Sequence, residues 1–182
     1  MLEIILGGYK SNESADQQVK SHFESLGYRV RTYNKVPGLA EFTDISASAN
    51  GVENIVNMSE DIGRNYKFHQ LICGVAGDVG ATVSRRPGEE KTPRVILLAG
   101  YKSTKPEDQE VKVYYEGQGH TVKTYNKIPG LAESTDIHAV ADRIDEVVNM
   151  ARVALDNRDF HRLCARVAGE NGAILSKRPK ME

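Results

Sequence analysis

Apolar and polar positions change their period several times along this chain, and each change marks a candidate element. Glu3-Ile4-Ile5-Leu6-Gly7 is a short apolar, β-branched run ending in glycine and predicts a buried strand. Val19, Phe23 and Leu26 recur at helical spacing, predicting a helix over 15–26 with Ser14 as its cap and Gly27 as its stop. Tyr28-Arg29-Val30-Arg31-Thr32-Tyr33 alternates large and basic side chains, the pattern of an edge or half-exposed strand. A loop with Pro37-Gly38 follows, and Thr43 or Asp44 then caps a second predicted helix bearing Ile45, Ala49, Val52 and Val56. Phe68 to Cys73 reads as a third strand, running into a glycine-rich loop, Gly74 to Gly80, and a short closing helix to about Arg85.

The whole pattern then repeats. A shift of 92 residues lays Gly8-Tyr9-Lys10-Ser11 on Gly100-Tyr101-Lys102-Ser103, Thr32-Tyr33-Asn34-Lys35 on Thr124-Tyr125-Asn126-Lys127, and Phe68-His69 on Phe160-His161, with no gap. The apolar stripe of the second predicted helix returns as Ile137, Ala141, Ile144 and Val148. The chain is therefore two copies, 1–90 and 93–182, each too long for a solenoid repeat. Strands alternating with helices predict an α/β fold: two tandem βαβαβα units in a mostly parallel, Rossmann-like three-layer sandwich with internal pseudo-symmetry. The short linker from Pro87 to Pro93 favours one continuous six-stranded sheet over two separate three-stranded domains.

Composition narrows the functional classes. With 182 residues, 40% hydrophobic and a formal net charge of −1, the chain has no overall attraction for nucleic acid or an anionic membrane. The apolar run at the N-terminus is too short for a signal peptide and no run reaches membrane-spanning length, so a cytoplasmic protein is expected. Cys73 and Cys164 stand one position out of register between the copies, which suggests neither a disulfide framework nor a metal site.

Candidate chemistry follows from the predicted topology, because ligands of open parallel α/β sheets bind beyond the carboxyl ends of the strands. Gly8, Tyr9, Lys10 and Ser11 follow the first strand, Asn34 and Lys35 the second, and Gly74, Gly77 and Gly80 the third. Their counterparts in the second copy are Tyr101, Lys102, Asn126, Lys127 and Gly169. Glycines, ammonium groups and helix amino termini on one rim would cradle a phosphorylated small molecule. Ala76-Gly77-Asp78-Val79-Gly80 weakly echoes a dinucleotide fingerprint, but follows the wrong strand, so no cofactor is expected. His69 and His161 fall at the amino end of the third strand, where packing or capping a carbonyl is a better use than catalysis. A homodimer or a protein partner is left open.

Leu71-Ile72-Cys73-Gly74-Val75-Ala76-Gly77 resembles the Leu-Ile-Cys-Gly-Thr-Gly segment of the type B ribose-5-phosphate isomerase and galactose-6-phosphate isomerase family. The order of the preceding elements is also similar, with Thr43-Asp44-Ile45 standing where that family has Tyr-Pro-Asp. The resemblance implies a sugar-phosphate isomerase-like protein with Cys73 as the base that moves a proton between C1 and C2. The family's Asp-His pair after the first strand is replaced here by Gly8, Tyr9 and Lys10, and the second copy carries Ala165-Arg166 in place of Cys73-Gly74. The alternative is a non-catalytic structural or partner-binding body built on the duplicated fold.

Overall fold

A computed structural model describes residues 2–33, 49–125, 143–152 and 157–181. In chain order the elements are β1 (Glu3–Gly7), α1 (Ser14–Ser25), β2 (Arg29–Tyr33), β3 (Asn54–Asn57), α2 (Tyr66–Val79) and β4 (Thr82–Arg85) in the first copy. The second copy gives β5 (Val95–Ala99), α3 (Pro106–Gly117), β6 (Thr121–Tyr125), β7 (Glu146–Asn149), α4 (Arg158–Asn171) and β8 (Ile174–Lys177). Every element of the first copy thus has a counterpart one repeat later.

All eight strands form one sheet in the order β2-β1-β3-β4-β8-β7-β5-β6. Within each copy the neighbours are parallel, and the copies meet where β4 pairs antiparallel with β8 through Val83 and Leu175, which are equivalent positions. A pseudo-twofold axis therefore passes through that pair. Its consequence governs everything functional: the carboxyl ends of the strands in one copy lie on the sheet edge opposite those of the other.

Helices cover both faces, as the α/β sandwich reading expects. Ile4, Leu6 and Val56 pack with Val19 and Phe23 of α1, while Ile96, Leu98 and Val148 pack with Val111 and Tyr115 of α3. The alternate strand residues Ile5, Ile55, Val83, Leu97, Val147 and Leu175 face the other way, into a single core shared with α2 and α4. This core crosses the pseudo-twofold axis, so it joins the copies as well as filling them. Burial of β1 on both faces matches its unbroken apolar run, and the half-exposed β2 and β6 are the two sheet edges. Gly27, at φ 91°, ends α1 as read, but no side chain caps that helix and Leu26 lies 59% exposed rather than on its buried face.

Three sequence readings change. The stretch from Phe68 to Cys73 is helical, in the middle of α2, and the third strand is instead Asn54–Asn57. Val56 and its counterpart Val148 are therefore strand residues, and Ala49 and Val52 belong to the turn before β3. Ile45, Ile137, Ala141 and the Pro37-Gly38 loop lie outside the described residues. The predicted short helix up to Arg85 is the strand β4, so the sheet has eight strands instead of six, and each unit runs βαβ then βαβ among the described residues. Phe68, His69, Ile72, Cys73, Val75 and Ala76 are buried, spacings that only a helix satisfies.

Candidate functional site

The rim of the first copy is built by local rules. Gly8 takes φ 88°, which lets the amides of both Gly8 and Tyr9 donate to the Tyr33 carbonyl at the end of β2. The turn drives Tyr9 down into the α1 core, where it is buried beside Met58, and brings Lys10 out to the surface. The Lys10 amide donates to Asp16 Oδ2 at 2.8 Å, and Asp16, 2% exposed, is also ion-paired with Arg86 at 2.7 Å from Oδ1. Arg86 donates in turn to the Met58 carbonyl. One carboxylate on α1 thus ties together the strand ends of β1, β3 and β4.

The second copy repeats the arrangement on the opposite edge. Asp108 accepts from the Lys102 amide at 2.8 Å and pairs with Arg178 at 2.7 Å, and Arg178 donates to the Met150 carbonyl. Tyr101, like Tyr9, is buried under its turn. Neither Asp16-Arg86 nor Asp108-Arg178 was singled out from sequence. The available signal was their recurrence in register, an acidic residue on the inner side of each first helix and an arginine just beyond each last strand.

A cleft opens at each rim. The first, of 390 Å³, is lined by Gly8, Lys10, Glu13, Asp16, Met58 to Asp61, Arg64, Asn65 and Arg86. The second, of 1080 Å³, lies at the carboxyl ends of β7 and β8 and is lined there by Asn149, Ala151, Arg152, Lys177 and Arg178. It is completed by Glu107 and Glu110 of α3, by Pro179 to Met181, and by Gly51 to Glu53 with Val79-Gly80 of the first copy. The antiparallel joint explains this mixture, since the second copy's strand ends stand beside the first copy's strand starts.

Of the residues selected from sequence, Gly8 and Lys10 line the first cleft, whereas Ser11 is an exposed turn residue whose carbonyl accepts from Gln17. Lys102 stands at the equivalent turn of the second copy and Ser103 repeats the Ser11 contact. Asn34, Lys35, Asn126 and Lys127 lie outside the described residues.

The glycines assigned to a phosphate loop serve a different purpose. Gly74 and Gly77 are inside α2 and Gly169 inside α4. A Cβ on Gly77 would stand 3.1 Å from Ala165 Cβ and 3.3 Å from Arg162 Cα, and one on Gly169 would stand 3.2 Å from Cys73 Cβ. These glycines let the two helices approach closely. Gly80 closes α2 at φ 75° on the edge where its own copy's strands begin, so it meets the second copy's cleft rather than its own.

Cys73 is likewise not at a rim. It is fully buried under α4, and burial pushes its thiol far above the ordinary range, as it does for Cys164. A proton-transferring base must reach the substrate and ionise, and this thiol is placed for neither. Titration of the native chain with a thiol-specific disulfide reagent should give no reaction at either cysteine, and two equivalents should react after unfolding. Rapid native reaction at Cys73 would restore it as a candidate base.

His69 and His161 are also buried, at the joint between copies. His69 Nε2 donates to the carbonyl of Ala173 at 2.7 Å, and His161 Nε2 to that of Ala81 at 3.0 Å, so each copy reaches into the other. Nδ1 of each ring accepts from the amide nitrogen of Asn57 or Asn149 at 3.1 Å, and the oxygens of those asparagines accept from the amides of Ser59 and Ala151. Burial pulls His69 down to about 4 and lowers His161 too, keeping both rings neutral. Carbonyl capping and packing, the roles expected from sequence, are what these rings perform, although from helices rather than from a strand.

No family model and no curated protein matches this chain. Among solved structures it is similar to the ABC domain in complex with L-Trp from Streptococcus pneumonia, at 12% identity and a TM-score of 0.37 over 97% of this chain and 73% of that one. It is also similar to D-2-hydroxyisocaproate dehydrogenase, at 12% identity and a TM-score of 0.29 over 85% of this chain and 64% of that one. A third is the NAD complexed form of the D-isomer specific 2-hydroxyacid dehydrogenase from Lactobacillus delbrueckii ssp. bulgaricus, at 8% identity and a TM-score of 0.31, with 80% and 61% covered. The chain spans less than two thirds of either dehydrogenase. No helix among the described residues is long and apolar enough to cross a membrane.

Proposed function

We propose that this chain is a binding protein for a small phosphorylated molecule, held in the cleft at the carboxyl ends of β7 and β8. The observation that carries the reading is a group of cations there that no carboxylate engages. Arg152, Lys177 and Lys180 line the cleft with no ion-pair partner among the described residues, beside an Arg178 already held by Asp108. Glu53, Glu107 and Glu110 also line the cleft, so the three free cations are equalled in number by carboxylates but ion-paired with none of them. A cleft of 1080 Å³ is ample for a sugar phosphate, since ligand pockets usually span roughly 300–1,000 Å³.

Binding is favoured over isomerisation because the cysteine that the isomerase resemblance offers as a base is sealed between α2 and α4, away from either cleft. The test is a thermal-shift series with inorganic phosphate, ribose 5-phosphate and galactose 6-phosphate. At a hundred times its dissociation constant a ligand stabilises the fold by about 2.7 kcal/mol, which for a chain of this size raises Tm by roughly 5–10 °C. Arg152→Glu, which copies the first repeat, should remove most of the shift. Absence of any shift with all three compounds would overturn the reading.

A further inference from the structure

We propose that the first copy's cleft is a second and separate site with the opposite charge preference, taking a small primary ammonium compound. It does not rest on phosphate binding, since it stands on the other edge of the sheet.

Every cation in this cleft is already matched by a carboxylate. Lys10 Nζ is 3.9 Å from Glu13, Arg64 Nε is 3.5 Å from Asp61, and Arg86 is 2.7 Å from the buried Asp16. What remains unmatched is acidic: Glu60 lines the cleft with no partner among the described residues. Beside it stands an independent sign of a missing partner. Ser59 is 7% exposed and lines the same cleft, its amide is held by Asn57 Oδ1 at 2.9 Å, and its hydroxyl has no hydrogen-bond partner. A buried hydroxyl left unpaired is destabilising, so it calls for a group that can bond it.

A primary ammonium supplies what both residues lack. It carries a positive charge for Glu60 and three N–H donors, one of which can be accepted by Ser59 Oγ. The comparison between copies sharpens the assignment, because the equivalent positions are Ala151 and Arg152. The hydroxyl and the carboxylate are lost together there, and the sign of the charge is reversed. A cleft of 390 Å³ suits a compact ligand.

The experiment is calorimetric titration of the full chain with ethanolamine and with putrescine, at constant pH and ionic strength, alongside amide chemical-shift mapping. Saturable binding is expected, with the largest shifts at Ser59 and Glu60. Tetramethylammonium, which has the charge but no N–H, should bind far more weakly. Ser59→Ala and Glu60→Arg, each the residue of the other copy, should weaken amine binding by about tenfold or more, the loss expected for one charge-assisted hydrogen bond. Phosphate titration of the second cleft should be unchanged by either variant, which separates this site from the other. The proposal is overturned if neither amine saturates, if tetramethylammonium binds as well as ethanolamine, or if both variants bind amines as the native chain does.

Discussion

Replacing Gly77 with valine should destabilise the fold by about 3 kcal/mol, the upper range for overpacking a tightly filled interface. The position is crowded by rigid atoms: an added Cβ already stands 3.1 Å from Ala165 Cβ and 3.3 Å from Arg162 Cα. Neither is the free end of a flexible side chain, so relief requires α2 and α4 to separate. These helices roof the core that spans both copies, including Val83 and Leu175 on the pseudo-twofold axis, so separation loosens the joint between copies. Urea unfolding should show a lower midpoint, and Tm should fall by roughly 6–12 °C. The matching change at Gly169, which faces Cys73 and Gln70, should cost a similar amount. The double variant should fall short of the sum, because once the helices have moved apart the second valine meets less resistance. An unchanged midpoint in Gly77→Val would show that close helix approach is not what holds the copies together.

The same glycines show why the sequence was readable in some places and not in others. β1, β2 and α1, with their repeats β5, β6 and α3, were legible because each carries a pattern that one environment alone explains. A run buried on both faces, an alternating edge strand and a helical stripe of Val19 and Phe23 are all local signals. The segment from Asn54 to Gly80 was misread because its signals are ambiguous at short range. Ile55-Val56 is a strand too brief to show alternation, and Leu71-Ile72-Cys73 is an apolar run that a buried helix and a buried strand share. Glycines at 74, 77 and 80 suggest a loop, but Gly74 and Gly77 lie inside the helix, and Gly77 permits contact with another helix about 90 residues away in the chain.

The site was legible only in part, for a related reason. Gly8 and Lys10 follow a strand that was correctly placed, so their position on a rim was accessible from sequence. The Asp16-Arg86 pair joins residues 70 positions apart, and the opposition of the two rims depends on the single antiparallel pairing of β4 with β8. Neither leaves a local trace. The divergence of Cys73-Gly74 from Ala165-Arg166 falls at the interface between α2 and α4, where Cys73 meets Gly169 and Ala165 meets Gly77. The two clefts themselves differ at 59-60 against 151-152, where Ser59-Glu60 stands opposite Ala151-Arg152.

Acid should unfold this protein through its buried histidines before most carboxylates titrate. An unfolded histidine gains a proton near 6.5, whereas folded His69 does not until about 4. Between those values the unfolded state binds more protons, so stability is full above 6.5, declines as the pH falls towards 4, and is not reduced further by this group below that. The decline amounts to about 3 kcal/mol from His69, and His161, lowered by the same burial, adds to it in the same direction. The surroundings leave little room for a charged ring. His69 is faced by the Asn57 amide, the Ala173 and Ala168 carbonyls, the Cys73 thiol of its own helix and the cationic Arg85 at the end of β4. His161 meets Asn149, the Ala81 and Ala76 carbonyls and Lys177. A proton on Nδ1 would oblige Asn57 to turn its oxygen towards the ring, which takes that oxygen from the Ser59 amide and disturbs the first rim as well. Urea midpoints measured from pH 7 to pH 4.5 should fall steadily in the native chain. His69→Gln, whose amide can accept and donate but does not titrate, should flatten the slope. A native chain equally stable at pH 7 and 4.5, or a His69→Gln slope equal to the native one, would remove the histidines from this role.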